Sequence, residues 1–312
     1  MKRFTPIFLL LSVISLNGVL IAAEQHETIT REFIVNGPGM LVVDSDSGSI
    51  EVEGTSGSKV NILLEIDWRT ADAGKIEKAK NDMHLDFNSE DNQVMATLDY
   101  EKSGGWFSGS KMPKLKWVIQ VPNQFSTDLN TGGGSIEIQG LEGVIEGRTS
   151  GGHIKVAEVK GEVSVRTSGG HISCHEIEGN MELRTSGGAI QVSESDGQVM
   201  ARTSGGHIEL ATVRGLVDAR TSGGHIDATL IGPLVGDCVL RTSGGGINIV
   251  LDDAVEADLY ASTSAGRVNT NVPILLDGDV KSNRVVGQIG EGGHSLQLQT
   301  SAGSIQIRKA DS

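Results

Sequence analysis

The chain has 312 residues, of which 42 are glycine and only 4% are aromatic, and its formal charge is −14 at pH 7. Such acidity excludes nucleic acid as the partner, because phosphate recognition needs a basic face. The length allows one elongated domain or two compact ones.

Lys2-Arg3 precede an apolar run from Phe4 to Ala23 that ends in small residues before Glu24. That is the pattern of an export signal, so residues 1–23 are expected to be a signal peptide, cleaved after Ala22 or Ala23. If uncleaved, the segment is a membrane anchor, and no other membrane contact is expected. Removal of Lys2 and Arg3 makes the chain two units more negative. No cysteine precedes Cys174, which excludes a lipid-modified N-terminal cysteine. The expected location is the periplasm or the cell surface.

Residues 24–129 read as an N-terminal β layer. Phe33 to Val35, Met40 to Val43, Ser49 to Val52 and Val60 to Ile66 alternate or run apolar between Gly-rich corners. Between Thr70 and Asn81 the period changes to that of one short helix. Strands follow at Met83 to Phe87, Gln93 to Tyr100 and Leu115 to Val121, with an irregular loop from Glu101 to Pro113 that carries Trp106 and Phe107. These aromatics are expected to fold back as a cap over the first coil. Asp46-Ser47-Gly48-Ser49-Ile50 is a weak copy of the repeat that follows, so the stack is expected to begin before residue 130.

Residues 130–268 are organised by R-T-S-G-G-H-I, which begins at Arg148 and returns at Arg166, Arg184, Arg202, Arg220 and Arg241, at intervals of 18 residues and then 21. Degenerate copies at Asn130 and Ser262 bring the run to eight units. A period this short marks a solenoid whose coils stack because none can bury a core alone. Within a unit, period-two alternation means strand. The Gly-Gly pair marks a corner that needs positive φ or a close backbone approach. The fold class is therefore all-β, a single-chain β-solenoid (β-helix) with coils of about 18 residues.

Aligned units give inward columns. One reads Ile136, Ile154, Ile172, Ile190, Ile208, Ile226, Ile247 and Val268. A second reads Ile138, Val156, Cys174, Val192, Leu210, Ala228 and Ile249, and a third Ile145, Val163, Met181, Val199, Val217 and Cys238. Each large aliphatic, fully buried, contributes about 1.5–3 kcal/mol. Cys174 and Cys238 lie more than three coils apart, beyond disulfide reach at about 4.8 Å per coil, and are expected to pack as free thiols.

Three extra residues near Ile231-Gly232-Pro233 and three near Asp252-Asp253 bulge two coils outward, and Asp252, Asp253, Glu256 and Asp258 read as a solvated corner. Residues 269–312 are expected to supply further coils and to close the stack, with Arg308 and Lys309 ending it in charge.

The Val121-Pro122 step, the following S-x-D-L-N-T-G-G-G-S-I and the serial T-S-G-G units down to S-A-G-R-V resemble the bacterial putative-adhesin family of β-strand-repeat proteins, a domain of unknown function. The resemblance runs from about Phe33 to Ile307. It implies a right-handed β-solenoid that is exported or envelope-associated, and it brings no catalytic residues to transfer.

Function must then sit on the outward columns. Arg148, Arg166, Arg184, Arg202, Arg220 and Arg241 should line one face, with Glu146, Ser164, Glu182, Met200, Asp218 and Val239 two residues earlier. The interleaved carboxylates look like partial neutralisation of guanidinium groups about 5 Å apart. The arginines are either a ladder of weak surface pairs or a row of forks for an acidic glycan. In the histidine column His207, Glu209, His225 and Asp227 form a two-by-two patch whose imidazoles and carboxylates suit a zinc-like ion.

Three classes of function compete: a non-catalytic adhesin-like or ligand-binding envelope protein, a polysaccharide-acting β-helix enzyme, and an envelope stress or metal sensor. From Ser126 onward the only aromatic is Tyr260, which disfavours sugar stacking. The reading is the first class, not an enzyme, with no cofactor and with an acidic glycan or an envelope protein as the partner.

Overall fold

A computed structural model describes residues 25–100, 112–277 and 281–310. Residues 1–23 and the aromatics Trp106 and Phe107 lie outside these. Two facing sheets, of 13 and 14 strands, run the length of the molecule. Each regular unit lays one strand in each sheet, as with Val163–Thr167 and Ile172–Glu178.

Successive units pair in parallel and in register. Ile154 stands against Ile172, Ile172 against Ile190, and Arg148 against Arg166. The 18-residue period thus becomes a stack of like residues. All three expected columns are buried in one continuous core, except that Val268 at the stack's end is only partly covered. A fourth inward column, Val165, Leu183, Ala201, Ala219 and Leu240, completes the short-strand sheet. Both cysteines are free and buried, and burial pushes the Cys174 thiol up to about 12.

The T-S-G-G corner is held by its threonine. Thr149, Thr167, Thr185, Thr203, Thr221 and Thr242 are buried, and each hydroxyl donates to a glycine carbonyl of the preceding coil at 2.7–2.9 Å. Each also accepts from the N–H of the second glycine of its own corner at 3.2–3.4 Å. One hydroxyl therefore satisfies two buried backbone groups and pins one coil on the next. Thr185→Val should strip both bonds from Gly170 and Gly188 and cost about 1–3 kcal/mol, read as a lower denaturant midpoint with unchanged slope; an unaltered midpoint would mean that water replaces the hydroxyl.

The expected order of the last coils is not the one found. Strand Ser295–Thr300 lies between Cys238–Arg241 and Ala257–Thr263, and Ile305–Lys309 lies between Ile247–Leu251 and Val268–Thr270. The final coil of the sequence is thus inserted one place from the end of the stack. Thr300-Ser301-Ala302-Gly303 carries the same corner chemistry as a regular unit. Thr300 donates to Gly245 and Thr263 to Gly303, both at 2.7 Å. Arg308 and Lys309 therefore do not end the fold. Lys309 instead pairs with Asp253 at 2.7 Å.

The other end is interleaved in the same way. The coil of Gly39–Ser45 and Ser49–Thr55 sits between Phe125–Thr131 with Ile136–Glu142 on one side and Gln93–Tyr100 with Lys114–Pro122 on the other. The stack does begin before residue 130. Antiparallel strands finish both ends: His26–Ile34 and Met83–Glu90 at one, Arg284–Ile289 with Leu275–Leu276 at the other. The expected helix is Ala73–Asn81, its Asp72 cap accepting from the N–H groups of Gly74 and Lys75, and it packs through Ile76. The Lys75 N–H bond, ahead of the lysine's charge, holds the Asp72 carboxyl below its ordinary value.

Candidate functional site

The short-strand sheet presents the six arginines at one register position, Arg148 to Arg166 to Arg184 to Arg202 to Arg220 to Arg241. Their neutralisation follows the acid positions. Arg148 meets Glu146 at 2.8 Å and Asp128 at 3.3 Å, and Arg184 meets Glu182 at 2.5 Å. Asp218 bridges two coils, reaching Arg202 at 2.8 Å and Arg220 at 2.7 Å. Arg241 donates to Gln299 of the inserted coil.

Arg166 differs, because Ser164 stands where the flanking coils have Glu146 and Glu182. Among the described residues its side chain has no ion pair or hydrogen bond. The Arg202 Nε is also buried and without a partner. Arg166, Arg184 and Arg202 line a shallow notch of about 160 Å³ together with Thr185, Ser186 and Ser204.

The histidine column divides into two stacked pairs. His153 and His171 have ring centroids 5.1 Å apart, and His207 and His225 5.0 Å apart. In the first pair the Nδ1 atoms serve the backbone: His171 N–H donates to His153 at 2.9 Å and Ala189 N–H donates to His171 at 2.8 Å. An accepting Nδ1 places the proton on Nε2. In the second pair His225 Nε2 lies 3.1 Å from Asp227. The carboxylates of that patch already accept from amides, Glu209 from Gln191 at 3.1 Å and Asp227 from Asn248 at 2.6 Å.

A groove runs along the opposite corner of the stack, at the end of the long strands. Here the ladder skips one residue per coil, and the skipped residues Glu158, Glu176, Glu194 and Thr212 have φ of 54–58°. That left-handed conformation is uncommon for residues with a Cβ. The groove holds about 580 Å³, with exposed Glu158, Glu176 and Glu194 along it and buried Val159, Ile177 and Ser195 beneath. It continues past Asp196 and Arg214 into a second compartment of about 480 Å³. The bulge at Ile231-Gly232-Pro233 helps wall that compartment. No aromatic lines the groove or the notch.

A family model described as Toastrack DUF4097 matches residues 65–308. The chain belongs to this family. No curated protein matches the chain. Solved structures similar to it include a "putative adhesin" from Bacteroides fragilis NCTC 9343, 13% identical over 91% of this chain and 97% of that one, TM-score 0.39. Another is a "putative adhesin" from Parabacteroides merdae ATCC 43184, also 13% identical with the same two coverages, TM-score 0.40. A "putative lipid binding protein" from Parabacteroides distasonis ATCC 8503 has 13% identity, coverages of 91% and 97%, and a TM-score of 0.39.

In this Toastrack domain the acidic corner of the sequence is taken up by loop structure. Asp252 accepts from Gly232 N–H at 2.8 Å and Ala254 N–H at 3.1 Å, Asp253 pairs with Lys309, and Asp258 accepts from Gln288 at 3.1 Å. Sequence reasoning missed the groove. Its signal was Gly140, which occupies in an earlier coil the register position of Glu158 and has φ of 72°. A glycine there marks a position where the backbone is left-handed, and so where the next coils turn a corner.

Proposed function

We propose that the protein is an exported, non-catalytic binding rod of the cell envelope, periplasmic or surface-displayed, which holds an acidic glycan along its arginine face. The observation that carries this reading is Arg166, an exposed guanidinium in register with two neighbours and without a carboxylate of its own. Its planar fork suits a carboxylate or sulfate bidentately, and the hydroxyls of Ser186 and Ser204 stand on the same notch. Repetition of the guanidinium at coil spacing lets a polymer bind by many weak contacts at once.

Affinity electrophoresis tests it. The protein should be retarded in gels containing carboxylated or sulfated polysaccharide, less so as salt rises, and not in gels containing neutral polysaccharide. Arg166→Ala with Arg202→Ala should abolish most of the retardation. Since the chain is acidic overall, retardation by a polyanion cannot come from net charge. Equal retardation of the double variant, or none in any gel, would refute the assignment.

A further inference from the structure

We infer that His175, Glu176 and Glu194 form a site for a divalent metal ion of the zinc class, set beside the long groove and separate from the arginine face. The sequence places these residues in two neighbouring columns. His175 stands in register with Ala157 and Ser193, so it is the titratable member of its immediate column. Glu176 and Glu194 are the skipped residues of adjacent coils, which sit about 4.8 Å apart along the stack.

One donor atom from each of the three lies within 4.8 Å of the other two. A tetrahedral ion with bonds of about 2.0–2.2 Å needs donors roughly 3–4 Å apart. His175 and Glu176 are 46% and 53% exposed, so small side-chain rotations suffice to close the set. The imidazole is already oriented for the task. Its Nδ1 lies 3.0 Å from Ser193 Oγ while its Nε2 faces Glu176 Oε1 at 3.1 Å. A ligating histidine held through its other nitrogen is the usual arrangement at metal centres. One imidazole with two carboxylates favours zinc over calcium or magnesium, which prefer oxygen alone.

One further observation points to an occupant. Glu194 has no hydrogen bond or ion pair among the described residues, and its carboxylate lies within 4.8 Å of that of Glu176, so two like charges stand close together. The patch at His207, Glu209, His225 and Asp227 offers no comparable convergence. Among the described residues the three-donor group is the one at His175.

Titration calorimetry of the full chain with zinc chloride, in a buffer that does not coordinate metals, tests the assignment. One zinc per chain should bind, with calcium chloride failing to displace it. His175→Ala and Glu194→Gln should each abolish the heat. Ser193→Ala should weaken binding about 10-fold, the lower end for loss of an orienting partner. The three altered residues lie on the surface or partly so, and matching thermal melts would show that each variant folds. Zinc binding that survives both His175→Ala and Glu194→Gln would overturn the proposal, as would absence of binding to the parent chain. Loss of binding in His207→Ala with His225→Ala, but not in His175→Ala, would also overturn it, moving the ion to the stacked histidines.

Discussion

Replacing Ile190 by aspartate is expected to unfold the solenoid or drive it to aggregate. Ile190 is fully buried and stands between Ile172 and Ile208 in the longest inward column, on a strand paired on both edges. An aspartate there must either carry a charge into the core, at a cost of several kcal/mol, or take up a proton against its ordinary tendency. No cation on either neighbouring coil can reach it, because the residues at the same position are isoleucines. The cost is a large part of the roughly 5–15 kcal/mol by which folded domains are stable. Ser173→Asp is the control. Its side chain is on the outward face of an adjacent strand, in register with Lys155 and Gln191, and its effect should stay within about 0.5 kcal/mol. A circular-dichroism melt of Ile190→Asp that matched the parent would mean that the column is not the core.

The columns were legible because duplication turns a three-dimensional relation into a one-dimensional one. Residues 18 apart in the regular run are neighbours in space, so Ile172 names its own partners. The same property hides the ends. A coil fits any coil with matching corners, and the corners at Gly48 and Gly303 match well enough to be slotted inside their outer neighbours. Sequence order fixes which residues make a coil but not where that coil joins the stack.

The role of threonine was present in the sequence and passed over. Thr131, Thr263 and Thr300 keep the residue even where asparagine, serine or glutamine replaces the preceding arginine, and each repeats the same pair of bonds or part of it. What persists through degenerate copies serves the backbone, whereas the arginine, which drops out of them, belongs to the surface. Neither the free Arg166 nor the His175 cluster shows a periodic signal. Each depends on a departure from the repeat, Ser164 in one case and a lone histidine in the other, and a departure gains meaning only when its neighbours are known.

The second glycine of the corner should tolerate no side chain, while the first should tolerate one freely. A Cβ at Gly188 would lie 1.8 Å from the carbonyl oxygen of Gly170 in the preceding coil, and one at Gly187 would meet nothing closer than 3.7 Å. The first distance is far inside contact, and the atom met is backbone, which cannot swing aside. Relief requires the two coils to part at the point where Thr185 donates to that same carbonyl at 2.9 Å. Gly188→Ala should therefore cost about 3 kcal/mol, the upper part of the overpacking range, which for a chain of this size lowers Tm by about 5 °C. Gly187→Ala carries no such clash, and Gly187 lacks the positive φ that would strain an alanine. By restricting the unfolded chain it should leave Tm unchanged or raise it, by up to about 1 kcal/mol of stability. Parallel melts of the two variants decide between a corner set by close approach and one set by glycine flexibility. If flexibility were the reason for the Gly-Gly pair, both substitutions would destabilise alike; if coil contact is the reason, the two alanines, one residue apart, should differ in their effect on stability.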